Sequence, residues 1–138
     1  MADGYALELQ KALVAALKSS ADVSALVAGR IYDHPPDGAL LPYIRIGGIV
    51  PRPVRAQASR AAILTYSVEV HSRSGGSGRV EVTKIGHSVT EALNEREDAL
   101  ASADLAVVQN HWITTTVERN NDGETYSAIV AFEALISG

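Results

Sequence analysis

Two stretches of this chain alternate apolar and polar residues with a period of two. Leu64, Tyr66, Val68 and Val70 interleave with Thr65, Ser67, Glu69 and His71, and Tyr126, Ala128, Val130, Phe132, Ala134 and Ile136 do the same toward the C-terminus. Successive side chains of a strand point to opposite faces, so the pattern demands a sheet with one face buried. Between these stretches, Val82, Ile85, Val89, Ala92 and Leu93 recur at helical spacing, with Glu81, Lys84, Ser88 and Glu91 outside the stripe. Tyr5 to Lys18 repeats the arrangement: Leu9, Leu13, Ala16 and Leu17 share one side, and Glu8, Gln10, Lys11 and Lys18 fall largely on the other. One-faced helices beside half-buried strands pack economically as two layers. The reading is one α+β domain over residues 1–138, with helices packed on one face of a mostly antiparallel β-sheet. Its core holds Leu13, Leu17, Val68, Val70, Ile85, Val89, Val130 and Phe132.

The remaining segments supply the connections. Ser20 or Asp22 suits the cap of a short turn of helix ending at Val27, and Gly29 suits a left-handed terminus. Pro35 and Pro36 hold His34 to Leu41 as a loop before a strand over Tyr43 to Ile49. Val50 to Arg60 carries Pro51, Pro53, Arg52, Arg55 and Arg60 without an acid, and reads as an exposed, mobile loop. Ser72 to Gly78 breaks the second strand. Leu105 to Val117 is rich in β-branched residues, and Asn120-Asn121-Asp122-Gly123 tolerates positive φ, which predicts an antiparallel hairpin with the final strand.

A chain of 138 residues with 46% apolar content closes one core without a cofactor or staple. It contains no cysteine, which removes disulfides, thiolate zinc sites and thiol nucleophiles and favours a cytoplasmic origin. Met1-Ala2-Asp3-Gly4 lacks the basic start of a secretory signal, and no apolar run approaches the roughly 20 residues of a membrane span. The net charge of −4 is unevenly spread, since residues 45–84 hold seven basic and two acidic residues. Two readings stand side by side. Complementary surfaces would orient neighbours in a head-to-tail assembly, or the basic stretch is simply a solvated loop and helix face.

Reaction chemistry is hard to assemble from these residues. Ser74-Gly75-Gly76-Ser77-Gly78-Arg79 lies between strand and helix, but Arg79 is followed by Val80 and Glu81 where a phosphate loop needs Lys then Ser or Thr. A flexible connector fits better. His34, His71, His87 and His111 fall in four separate elements without metal-ligand spacing, although His71 and His111 are the pair a sheet would bring together. Glu95, Glu97, Asp98 and Asp104 lack the spacing of a calcium loop and read as a solvated turn. Trp112 and the tyrosines, scattered through strands, suit core or interface. The expectation is no catalysis, no cofactor, no metal and no bound nucleotide.

Leu26-Val27-Ala28-Gly29-Arg30-Ile31-Tyr32-Asp33, Leu41-Pro42-Tyr43-Ile44-Arg45-Ile46-Gly47, Val68-Glu69-Val70-His71-Ser72-Arg73-Ser74-Gly75-Gly76 and the Asp122-Gly123 hairpin together resemble the tail terminator, or tail-completion, proteins of long-tailed bacteriophages, prophages and gene transfer agents. The likeness covers nearly the whole chain through short motifs. It implies a virion structural protein, assembled in the bacterial cytoplasm, whose copies form a ring, typically a hexamer, at the head-proximal end of the tail tube. That ring stops tube growth and joins the head connector. Implied partners are further copies, the major tail tube protein and the head-tail connector or stopper, with no membrane. Arg52, Arg55 and Arg60 then form a candidate partner-binding loop, meeting an acidic protein surface in preference to DNA passing through the ring. A head-tail stopper or adaptor, a minor capsid morphogenesis protein and a small ligand-binding domain are the alternatives.

Overall fold

The computed structural model describes residues 2–54, 61–73, 78–102 and 105–137. Helix α1 (Ala2–Ser19) turns Leu9, Leu13 and Leu17 wholly inward, since residues four apart lie on one face. Ser20 ends it and starts α2 (Ala21–Val27), its hydroxyl oxygen accepting from the Val23 N–H at 3.3 Å. The left-handed exit begins one residue earlier than the sequence suggests: Ala28 has φ 52° and Gly29 φ 73°. Both the Ala28 and Gly29 N–H groups close on the Ser24 carbonyl, which holds alanine in a conformation that glycine adopts at no steric cost. Ala28→Gly is therefore expected to raise stability by about 0.5–1 kcal/mol, read as a higher thermal midpoint. An unchanged or lower midpoint would contradict this account of the cap.

Strand β1 (Ile31–Tyr32) is too short for any sequence period to announce, and it pairs in parallel with Ile44 and Arg45 of β2 (Tyr43–Pro53). The strand predicted to stop at Ile49 continues to Pro53, so the first part of the expected loop, Val50–Pro53, is sheet. A bulge at Gly47 and Gly48 allows the continuation, and a Cβ at Gly47 would collide with the Ser67 hydroxyl. β3 (Ala62–Arg73) follows, then α3 (Gly78–Leu93). Residues 55–60 and 74–77 of the two expected loops lie outside the described residues.

After α3 the acidic stretch is not a bare solvated turn. Glu97–Leu100 forms the single-turn helix α4, held by the burial of Leu100, while Asp104 lies outside the described residues. β4 (Ala106–Arg119) and β5 (Thr125–Ser137) make the predicted antiparallel hairpin. The five strands run in the order β1-β2-β3-β5-β4, antiparallel except for β1. This is an α+β fold.

The helices cover one sheet face. Alternate residues of β3 and β5 (among them Leu64, Val68, Val130 and Ile136) are buried on the face that α3 covers, α1 packs against β2, and all eight of the expected core residues are fully buried. Tyr66 stacks on Phe132 at 5.2 Å between ring centroids and 12° between planes. Between these residues, Thr65, Glu69, Ile129 and Glu133 occupy the other face and keep contact with solvent.

Candidate interaction site

On the open face, where β2, β3 and β5 meet, polar side chains of the same rows form one network. Arg45 Nη1 donates to both oxygens of Glu69 at 3.1 Å, and Glu69 Oε1 lies 3.0 Å from His71 Nε2. His71 Nδ1 is 3.0 Å from Ser127 Oγ, which donates to Asn120 Oδ1 at 2.9 Å. Asn120 Nδ2 donates to Thr125 Oγ1, and that hydroxyl donates to Asp122. The backbone N–H groups of Glu124 and Thr125, together with the Thr125 hydroxyl, hold the Asp122 carboxyl below its ordinary range. The hairpin tip is thereby tied to the sheet.

Period-two spacing could have predicted that Glu69 and His71 share a face, but only the register with β5 adds Ser127 to them. A serine, a histidine and a carboxylate in line evoke acyl-transfer chemistry. The geometry argues otherwise: Ser127 is 3% exposed, and its hydroxyl proton is committed to Asn120. The network opens on a cleft of about 660 Å³ walled by the Pro35–Ala39 loop, yet its hydrogen-bonding atoms face one another. It braces the upper part of the sheet.

His71 and His111 do not meet. His71 is opposite Ser127, which is opposite Glu118, far along β4 from His111, and β5 lies between. His87 sits 3.7 Å from Glu91 on the exposed side of α3. Among the described residues no three potential ligands gather as a metal site would need, and no helix is long and apolar enough to cross a membrane.

The sheet edges differ more than the sequence indicated. Val54 donates to the Ala61 carbonyl at 2.9 Å, so strand alternation directs the Arg52 and Val50 N–H groups toward β3. The nitrogens of Pro51 and Pro53 then fall on the free edge, which has no donor at those positions and resists another strand. Arg52 is exposed at that edge; Arg55 and Arg60, the other members of the candidate loop, lie outside the described residues.

At the opposite edge, the turn after α3 covers the lower part of β4. Glu95 N–H donates to the Asn110 carbonyl at 2.9 Å, and Asn94 Oδ1 accepts from the Trp112 N–H at 2.9 Å. Asn110 is fully buried, accepting from the Tyr66 hydroxyl at 2.7 Å and donating to the Leu93 carbonyl at 2.7 Å. Trp112 is not core. It remains 46% exposed beside Ile113, with its indole N–H held by Thr115 Oγ1.

The comparisons agree with this architecture. A family model described as tail completion protein gp17 matches residues 11–137. Among solved structures, a chain from the virion of a native gene transfer agent particle superposes with a TM-score of 0.84 at 21% identity, covering 94% of this chain and 95% of that one. The bacteriophage SPP1 gp17 protein gives a TM-score of 0.60 at 22% identity, over 96% and 90% of the two chains. No curated protein sequence matches. With the family model spanning nearly the whole chain and the same fold found in these virion and phage proteins, the chain belongs to the tail completion protein gp17 family.

Proposed function

We propose that this protein is a tail terminator whose copies close into a ring, a hexamer, at the head-proximal end of the tail tube. The observation that carries this reading is the family match over residues 11–137. In this role the ring ends tube growth and presents the surface that joins the head connector or stopper, with the tube protein on its other side. The protein acts by binding, without cofactor or catalysis. An internally hydrogen-bonded open face supports that part of the reading, because it keeps few polar groups free for a substrate. The unlike sheet edges support a head-to-tail ring, which requires two different complementary surfaces on each copy.

Arg52, Arg55 and Arg60 form the partner-binding segment in this reading. Their charge meets acidic protein, with at most weak contact to passing DNA, since tight phosphate contacts would retard ejection. Replacing all three with serine is expected to move the thermal midpoint by less than about 2 °C. Completed tails, counted by negative-stain microscopy, should fall roughly tenfold, equivalent to about 1.4 kcal/mol at the contact. A markedly lower midpoint would make the segment part of the subunit's own packing. Images of the protein bound to tail tubes test the ring itself, and binding to the connector without the tube would favour a stopper.

A further inference from the structure

We infer that copies of this chain join by overlapping unlike edges, with Val50 and Arg52 of one copy seated on Trp112, Glu95 and Asp98 of the next. The inference rests on the head-to-tail ring proposed above and supplies its contact. Sheet register provides the first argument. Arg52, Ile63, Leu135 and Gln109 form one row across β2, β3, β5 and β4, and the adjoining row ends at Asn110, to which Glu95 is bonded. Arg52 and Glu95 therefore stand at opposite edges but at levels differing by about one residue, roughly 3.3 Å. A rotation about an axis along the strands, without slip, brings them together.

A second pair of residues matches at neighbouring levels. Val50 shares its row with Thr65, Glu133 and His111, next to the row of Trp112. Val50 is 64% exposed and Trp112 46% exposed, so each edge offers an apolar side chain beside its charge. Val50 and Arg52 lie on the open face, whereas Trp112 and the α3–α4 turn lie on the helix side, so neighbouring copies overlap as shingles do. The backbone cannot make this contact: Pro51 and Pro53 block one edge, and Asn94 and Glu95 already occupy the other. Side chains must do so.

Charge and strain point the same way. Among the described residues Arg52, Glu95 and Asp98 have no ion-pair partner within the chain, and all three are exposed. Glu95 also holds φ 58°, a left-handed conformation that glycine or asparagine adopts more readily. A glutamate kept at such a position is a candidate for a role outside the subunit. Trp112 is oriented before assembly by its bonds to Asn94 and Thr115, which lowers the ordering cost of an aromatic anchor.

Two charge-reversed proteins test the contact: Arg52→Glu alone, and Glu95→Lys combined with Asp98→Lys. Each is expected to keep the wild-type thermal midpoint and to need at least tenfold more protein to form rings by native mass spectrometry, with or without tail tubes. Mixing the two should restore rings in which the variants alternate, because each then meets the opposite charge. Ring formation by either variant at the wild-type concentration would overturn the contact while leaving the ring reading intact, as would failure of the mixture when both variants are folded. If the wild-type protein forms only two-fold dimers, the ring reading fails and the contact with it.

Discussion

Replacing Asn110 with alanine is expected to lower the unfolding free energy by about 3–5 kcal/mol. Asn110 is fully buried and joins three elements: it accepts from Tyr66 on β3, donates to the Leu93 carbonyl at the end of α3, and lies on β4. Removing its amide leaves the buried phenol without a partner, at about 1–3 kcal/mol, and takes one of two donors from the Leu93 carbonyl, which keeps the Arg96 N–H at 3.1 Å; the lost hydrogen bond and a small cavity add to this. Against a typical total of about 5–15 kcal/mol the loss is large. Urea titration would read it as a fall in midpoint of more than 1 M, given a slope of about 1–3 kcal/mol per molar. A cost below about 1 kcal/mol would mean that water or a shifted side chain replaces the amide. Because Asn110 anchors the turn carrying Glu95, ring assembly should weaken even where enough folded protein remains.

The same hydrogen bond gives a pH signature. Burial pushes the Tyr66 phenol above its ordinary pKa of 10.0, and the bond to Asn110 offsets only part of that rise. Since the folded pKa is raised above the unfolded value, the contribution is intact below pH 10.0 and declines as the pH climbs above it. Tyr66→Phe should flatten the alkaline decline while costing stability at neutral pH through the stranded Asn110 oxygen.

Phe132→Ala is expected to cost about 3–5 kcal/mol, the range for emptying a buried aromatic site. Phe132 is at the middle of β5, between Tyr66 on β3 and Trp112 on β4, and is fully buried. Its ring stacks on Tyr66, so the substitution removes both a large buried volume and the surface that holds the phenol toward Asn110. Phe132→Leu keeps most of the volume and should cost less than half as much. Circular dichroism melts of the two variants would separate the outcomes. Equal losses would imply that the ring interaction, rather than filled volume, dominates.

The sequence by itself determined the elements whose stability comes from their own periodicity. Leu9, Leu13 and Leu17 had to share a helix face, and Leu64 to Val70 and Tyr126 to Ile136 had to alternate across a sheet, because 3.6 and 2 residues per repeat leave no other way to bury them together. The helix-on-sheet arrangement and the core followed from those patterns. Ser20 as a cap and the Asn120–Gly123 turn were legible through local hydrogen bonding. The tertiary structure alone decided what depends on partners distant in the chain. Nothing local separates Asn110 from the other amides; its burial arises because the register places it beneath Tyr66, and α4 exists because Leu100 finds the core. Pro51 and Pro53 looked like loop markers until the pairing with β3 turned their nitrogens to the free edge. Trp112 suited core or interface by sequence alone, and the edge position of β4 and its bulge are what leave half of it in solvent. The matching levels of Arg52 and Glu95 are likewise set by hydrogen-bond ladders across four strands, a sum of long-range registers that no window of sequence contains.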